Sequence, residues 1–134
     1  MVQKIEIGSL EKGFSFPPAV FKIDASAVSA YLKSVEDSTR IFVGSDYVPP
    51  MLVTALAMAV MGKQMELPSG SIHVSQEYSF MKAVSTGELL TSRASVARNL
   101  ERGKIHMLTI EIKIENKKKE LVISGETGFI LPRL

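Results

Sequence analysis

The sequence predicts an α+β protein in which a curved antiparallel sheet wraps around one central apolar helix. Three observations lead there. From Val48 to Met61 the chain carries no charged residue, four long stretches after it have the composition of strands, and the connections between those stretches are short.

The apolar run has to be hidden, and a membrane is a poor place for it. It is about 14 residues long, roughly 20 Å of helix, whereas about 20 residues are needed to cross the hydrocarbon. The opening "MVQKIEIGSLEKG" has neither a hydrophobic segment nor a small-residue cleavage site. A soluble, cytoplasmic chain is therefore expected. With 134 residues and 46% hydrophobic content, a single domain over residues 1–134 can hide roughly two-thirds of the surface exposed on unfolding. The absence of cysteine excludes disulfides and thiolate metal sites. Two histidines without a partner at ligand spacing argue against zinc, and neither metal nor cofactor is expected. A net charge of +2 is too small to indicate nucleic acid or a membrane surface. The one dense basic cluster, Lys117 to Lys119, lies between two apolar stretches and reads as a solvated hairpin tip.

The elements follow in order. Phe14 to Ile23 reads as a short extended piece leading into a helix. Asp24 is placed to accept hydrogen bonds from the first free amides of that helix, and Ala27, Val28, Tyr31, Leu32 and Val35 recur at helical spacing on one face. A polar loop, "EDSTRIFVGSDYVPP", ends in Pro49 and Pro50. Proline at the first helical position gives up only an amide that has no partner within the helix, so the apolar helix starts there. That helix is apolar on every side, which predicts a central position. Ala55, Ala57, Ala59 and Gly62 keep it thin enough for a sheet to lie close.

Four strands are expected in "IHVSQEYSFM", "ELLTSRASVAR", "KIHMLTIEIKIE" and "ELVISGETGFIL". In the third, Leu108, Ile110, Ile112 and Ile114 alternate with Thr109, Glu111, Lys113 and Glu115, the pattern of an antiparallel strand with one buried face and one wet face. "NLERGK" and "ENKKKE" have hairpin length.

Taken together, the front piece "FSFPPAVFKIDASAVSAYLKSVED", the helix "VPPMLVTALAMAVMGKQM", the stretch "SGSIHVSQEYSFMKAVSTGELLTSRASV" and the ending "ELVISGETGFILP" resemble the hot-dog fold proteins of the MaoC-like type. That family includes (R)-specific enoyl-CoA hydratases and 3-hydroxyacyl-thioester dehydratases. The resemblance covers most of the chain. It implies a hot-dog fold, an acyl-CoA or acyl-carrier-protein thioester as ligand, and a pocket formed between two protomers. It also implies that the strand carrying Gln76 and Phe80, with the turn at Gly87 and Glu88, is where the chain leaves the core for the thioester-binding surface.

Active members of that family carry Asp-x-Asn-Pro-x-His after the first helix, and the Asp and His share a water across the double bond of the acyl chain. The acid and the base must both reach that water with suitable pKa values. Here the matching stretch is "DSTRIF", with Asp37 at the Asp position, Thr39 at the Asn, Arg40 at the Pro and Phe42 at the His. Phenylalanine carries no proton, and no histidine lies between Met1 and Ile72. The resemblance also implies a glycine amide at the entry of the central helix that helps hold the thioester oxygen. The pair here is Pro49-Pro50, and Pro50 has no amide hydrogen. With both parts missing, the chain resembles the non-catalytic half of two-subunit or double-hot-dog dehydratases.

Other candidates have plainer readings. His73 begins a strand and reads as an edge or interface histidine. His106 shares the face of Leu108 and Ile110 and reads as a hydrogen-bonded core or pocket-mouth histidine. Asp37 is the first candidate catalytic carboxylate, though a lone carboxylate there also suits a loop hydrogen bonder. Asp46 and Glu77 are considered because the resemblance extends to hot-dog thioesterases, many of which use one carboxylate with no histidine, and Asp46, just before the central helix, is expected to cap it or to be stabilised there as an anion. Met51, Met58 and Met61 can fill core space or, with Val48 and Leu52, line an acyl path; Pro50 and Gln76 complete the expected substrate-facing set.

Three functions follow. The leading one is a substrate-binding subunit, homodimeric or paired with a catalytic MaoC-like partner, in an enoyl-thioester hydratase or 3-hydroxyacyl-thioester dehydratase. The second is an acyl-CoA thioesterase using Asp37 or Asp46. The third is a homodimeric acyl-CoA binding module without chemistry.

Overall fold

The computed structural model describes residues 4–132. Asp24 opens the first helix, α1 (Ala25–Ser34), as its position predicts: its Oδ1 accepts the Ala27 amide at 2.8 Å. Val28 and Leu32 are buried, and Ala27 and Tyr31 pack partly against the core. The helix ends with the Glu36 amide on the Lys33 carbonyl (3.2 Å) and the Asp37 amide on the Leu32 carbonyl (2.9 Å). This paired closure requires a left-handed residue, usually glycine, and Glu36 takes that role at φ 55°.

The second helix, α2 (Pro50–Gly62), has Pro50 at its first helical position. It buries Leu52, Val53, Thr54, Ala57 and Met61. Thr54 is tolerated inside because its hydroxyl donates to the Met51 carbonyl at 2.8 Å. The expectation that every side of this helix is covered needs correction. Met51 is 51% exposed, and Ala55, Ala59 and Gly62 are exposed with it. These positions form one stripe along the helix, because the sheet packs against the other side only.

The sheet has the order β2-β5-β6-β7-β4 and is antiparallel throughout. Its members are β2 (Ala19–Phe21), β4 (Ile72–Phe80), β5 (Leu90–Arg102), β6 (Ile105–Glu115) and β7 (Leu121–Leu131). A separate parallel pair joins β1 (Ile5–Glu6) to β3 (Met65–Glu66). The alternation in β6 holds: His106, Leu108, Ile110, Ile112 and Ile114 are buried, and the four aliphatic ones share one core cluster with Leu52, Val53, Ala57 and Met61 of α2. The β5–β6 turn is tighter than expected. Arg102 pairs with Ile105 across only Gly103 and Lys104, and Gly103 supplies the positive φ of 59° that such a turn needs. The lysine cluster lies at the β6–β7 tip, where Asn116 Oδ1 accepts the Lys118 and Glu120 amides, both at 3.0 Å.

β4 departs from the pattern. It pairs with β7 only, and none of its nine residues is buried. Gly125 and Gly128 let it lie close to β7. A Cβ at Gly125 would stand 2.2 Å from the Glu77 carbonyl oxygen, and one at Gly128 would stand 2.3 Å from the Ser75 hydroxyl. Among the described residues no helix is long and apolar enough to cross a membrane.

Two substitutions test these local readings. Glu36→Gly is expected to stabilise the chain by roughly 0.5–1 kcal/mol, since glycine has no Cβ penalty in the left-handed region, seen as a higher urea midpoint. Gly125→Ala is expected to cost about 1–3 kcal/mol, as overpacking does, and to speed amide exchange across β4 and β7.

Candidate functional site

The loop joining the two helices carries Asp37 to Phe42, the stretch singled out in the sequence. It starts at Asp37, whose Oδ1 accepts the Thr39 amide at 2.9 Å. Hydrogen bonds from the Thr39 backbone, and then from its hydroxyl, hold the Asp37 carboxyl below its ordinary value. The chain coils onto the Thr39 carbonyl, which accepts the Phe42 and Val43 amides at 3.4 and 3.1 Å. Phe42 turns inward and packs partly against the core, while Ile41 and Val43 are exposed. Between this loop and α1 lies an open, mainly apolar groove of about 520 Å³, lined by Val28, Leu32, Lys33, Asp37, Phe42 and Val43, among others.

The far end of the loop is clamped by the turn after β4. Val48 donates to the Val84 carbonyl (2.8 Å), Thr86 donates to the Asp46 carbonyl (2.7 Å), and Gly87 donates to the Ile23 carbonyl (2.9 Å). Glu88 braces this turn by accepting the Ser85 amide at 3.0 Å. The expected capping role of Asp46 is corrected. Its backbone carbonyl is what bonds, and α2 is entered at Pro49 with no side-chain cap. The first amide of α2 belongs to Met51, because Pro50 has none.

The expected substrate-facing residues divide by depth. Val48 and Leu52 are core residues, 3% and 7% exposed. Met58 is partly buried, and Pro50, Met51 and Gln76 face outward. Met61 is core. Gln76 donates its side-chain amide to the Tyr78 hydroxyl. Burial raises the Tyr78 phenol above its ordinary value, and the bond from Gln76 opposes that rise.

The histidines match their plainer readings. His106 is buried, with Nε2 2.6 Å from Asn99 Oδ1, and Asn99 in turn donates to the Leu10 carbonyl at 2.5 Å. His73 lies on the edge strand, stacked on Phe129, with Nε2 2.6 Å from the buried Thr127 hydroxyl. Neither is near the Asp37 loop in hydrogen bonding. Among the described residues no group of three or more His, Asp or Glu side chains is placed to hold a metal ion.

Sequence reasoning missed the Gln76–Tyr78 pair, although alternation already set the two on one face of the strand. It also missed the turn at Asp37. The Asp-x-Thr spacing was the available signal, since an aspartate readily accepts the amide two residues on.

A two-helix, antiparallel arrangement of this order is the hot-dog fold, and solved structures share it. The (R)-hydratase from A. caviae involved in PHA biosynthesis is similar with a TM-score of 0.78 and 24% identity, over 92% of this chain and 98% of that one. The MaoC-like dehydratase from Rhodospirillum rubrum gives 0.74 and 18%, over 96% and 97%. The HadBC (3R-hydroxyacyl-ACP dehydratase) complex from Mycobacterium tuberculosis gives 0.78 and 21%, over 92% and 99%. The model of the FAS1-like dehydratase domain region matches residues 11–124, and the chain belongs to that family. No curated protein matches it in sequence.

The aspartates that anchor the two ends of α1 set a pH dependence. Asp24 is lowered by the Ala27 amide first and the Ser26 hydroxyl next, and Asp37 by Thr39; both lie below 3.8. A carboxyl depressed in the folded state stabilises above its unfolded pKa and loses that contribution as pH falls through the folded value. Urea midpoints are therefore expected to hold above pH 5 and fall below about pH 4. In Asp24→Asn and Asp37→Asn the acid-side fall should be shallower.

Proposed function

We propose that this chain is an acyl-thioester-binding hot-dog subunit, the non-catalytic member of a hydratase or dehydratase whose partner carries the acid and base. The observation that carries this reading is the pairing of Phe42 with Asp37 in the catalytic stretch. The side chain in the histidine position is a hydrocarbon packed toward the core. The aspartate is tied into a local turn and held at a low pKa, a poor base near neutral pH. Pro50 withdraws the amide donor at the helix entry. Membership of a dehydratase family and the likeness to a two-component dehydratase complex support the same reading.

On this reading the outward residues Pro50, Met51 and Gln76 face the substrate, Met58 flanks them, and Val48 and Leu52 back them from the core. Asp37 remains as a turn residue. The ligand is an acyl-CoA or acyl-carrier-protein thioester.

Hydration of crotonyl-CoA, followed by loss of enoyl absorbance, tests the proposal on the purified chain alone and mixed with the protein encoded beside it. The expected result is no turnover alone and turnover in the mixture, changed less than about two-fold by Asp37→Asn. Turnover by the chain alone overturns it.

A further inference from the structure

The inner face of the sheet changes character at β4. β6 gives that face Leu108, Ile110, Ile112 and Ile114, all buried. β4 gives it Gln76 and Tyr78, which stand opposite Thr127 and Gly125 of β7, and these in turn oppose Ile110 and Ile112. Phe80 follows on the same side of the strand, 48% exposed, with its ring tilted against that of Tyr78 at 6.2 Å between centroids.

Tyr78 is both seated and oriented. Its ring lies over Gly125, where a Cβ would stand 2.4 Å from Cδ1, and it packs partly against the core. Gln76 donates its side-chain amide to the phenolic oxygen. The phenol's own hydrogen then has no partner among the described residues and is free for a ligand. Burial raises the phenol above its ordinary value, which keeps that hydrogen in place at neutral pH. No lysine, arginine or carboxylate of β4 shares this side with it, since Glu77 points the other way, in register with Glu126 and Glu111. A neutral donor without a cation suits a carbonyl oxygen better than a carboxylate or phosphate. Phe80 adds apolar surface, so the pair fits a ligand in which a carbonyl adjoins hydrocarbon.

We propose that Tyr78, oriented by Gln76, donates a hydrogen bond to the carbonyl oxygen of a bound acyl thioester. The inference rests on the acyl-thioester reading given above and adds the residue that holds the carbonyl. Pro50 supplies no backbone amide for that oxygen, and a carbonyl taken out of water without a donor is costly. Tyr78 is thus a binding residue and Gln76 a positioning residue, which fixes where the phenol's hydrogen points.

Butyryl-CoA and its thioether analogue S-butyl-CoA differ in the carbonyl oxygen alone, and neither has a double bond to hydrate, so together they separate this role from packing. Binding of each is measured by calorimetry on the chain alone and on the chain with the protein encoded beside it, and the carbonyl stretch of bound butyryl-CoA by difference infrared spectroscopy. Tyr78→Phe, which keeps the ring, is expected to weaken butyryl-CoA roughly ten-fold and S-butyl-CoA less than about two-fold. Gln76→Met is expected to give a smaller loss, again on butyryl-CoA only. The carbonyl stretch is expected to lie lower in the unaltered protein than in Tyr78→Phe. No loss in Tyr78→Phe, an equal loss for both ligands, or a carbonyl stretch that is the same in both proteins overturns the donor, and with crotonyl-CoA turnover in the mixture leaves the proposed function standing. A carbonyl-specific loss in a mixture without turnover keeps the donor and removes the hydratase or dehydratase part of the proposed function. Failure of both ligands to bind either preparation overturns both.

Discussion

The inner face of the sheet must be kept dry, and the rest of the structure follows from that constraint. Leu108, Ile110, Ile112 and Ile114 of β6 are almost wholly buried, with Leu90 and Val96 of β5 and Val122 and Ile123 of β7. Each such side chain contributes on the order of 1.5–3 kcal/mol on leaving water. α2 supplies the cover, and Leu52, Val53, Ala57 and Met61 point into that cluster. The loop before α2 therefore has to end at a fixed place. Pro50 starts the helix without wasting an amide, and the Val48–Val84 and Asp46–Thr86 bonds pin the approach.

That same entry bears on chemistry. A helix start built on proline gives a firm beginning and removes one backbone donor, which on the proposed reading is the donor an oxyanion would need. Upstream, the coil that closes on the Thr39 carbonyl seats Phe42 as an apolar plug. On the proposed reading, structural security and the absence of a proton-transfer group in this loop come from the same few residues. Both histidines are engaged elsewhere. One is bonded to Thr127 on the edge strand, and the other is buried against Asn99.

Sequence made some of this legible and hid the rest for physical reasons. The alternation of β6 was readable because one of its faces is covered and the other is wet. The Asp24 cap was readable because capping is local. The missing histidine needed only residue identity. The surface of α2 was misread because hydrophobicity reports what avoids water and not which partner covers it. Met51, Ala55, Ala59 and Gly62 look as apolar as Val53 and Ala57. Asp46 was misread for a similar reason: its side chain suits a cap, yet the structure uses its carbonyl. The groove beside α1 left no mark in sequence, since it depends on how the loop lies over Val28 and Leu32.

β4 brings these threads together. Gly125 and Gly128 allow β4 to sit tightly on β7, so it is firmly held on one side even though only Tyr78 of its residues is partly buried. A strand retained at that length, with Ile72, Val74 and Phe80 in water, costs solubility unless another surface takes it up. The apolar stripe left on α2 makes the same demand from the helix layer. An unpaired edge and an uncovered helix face put this chain's unmet physical requirements at its surface. On the proposed reading a single partner meets them together, covering the apolar surface and bringing the proton-transfer group whose position Phe42 occupies here.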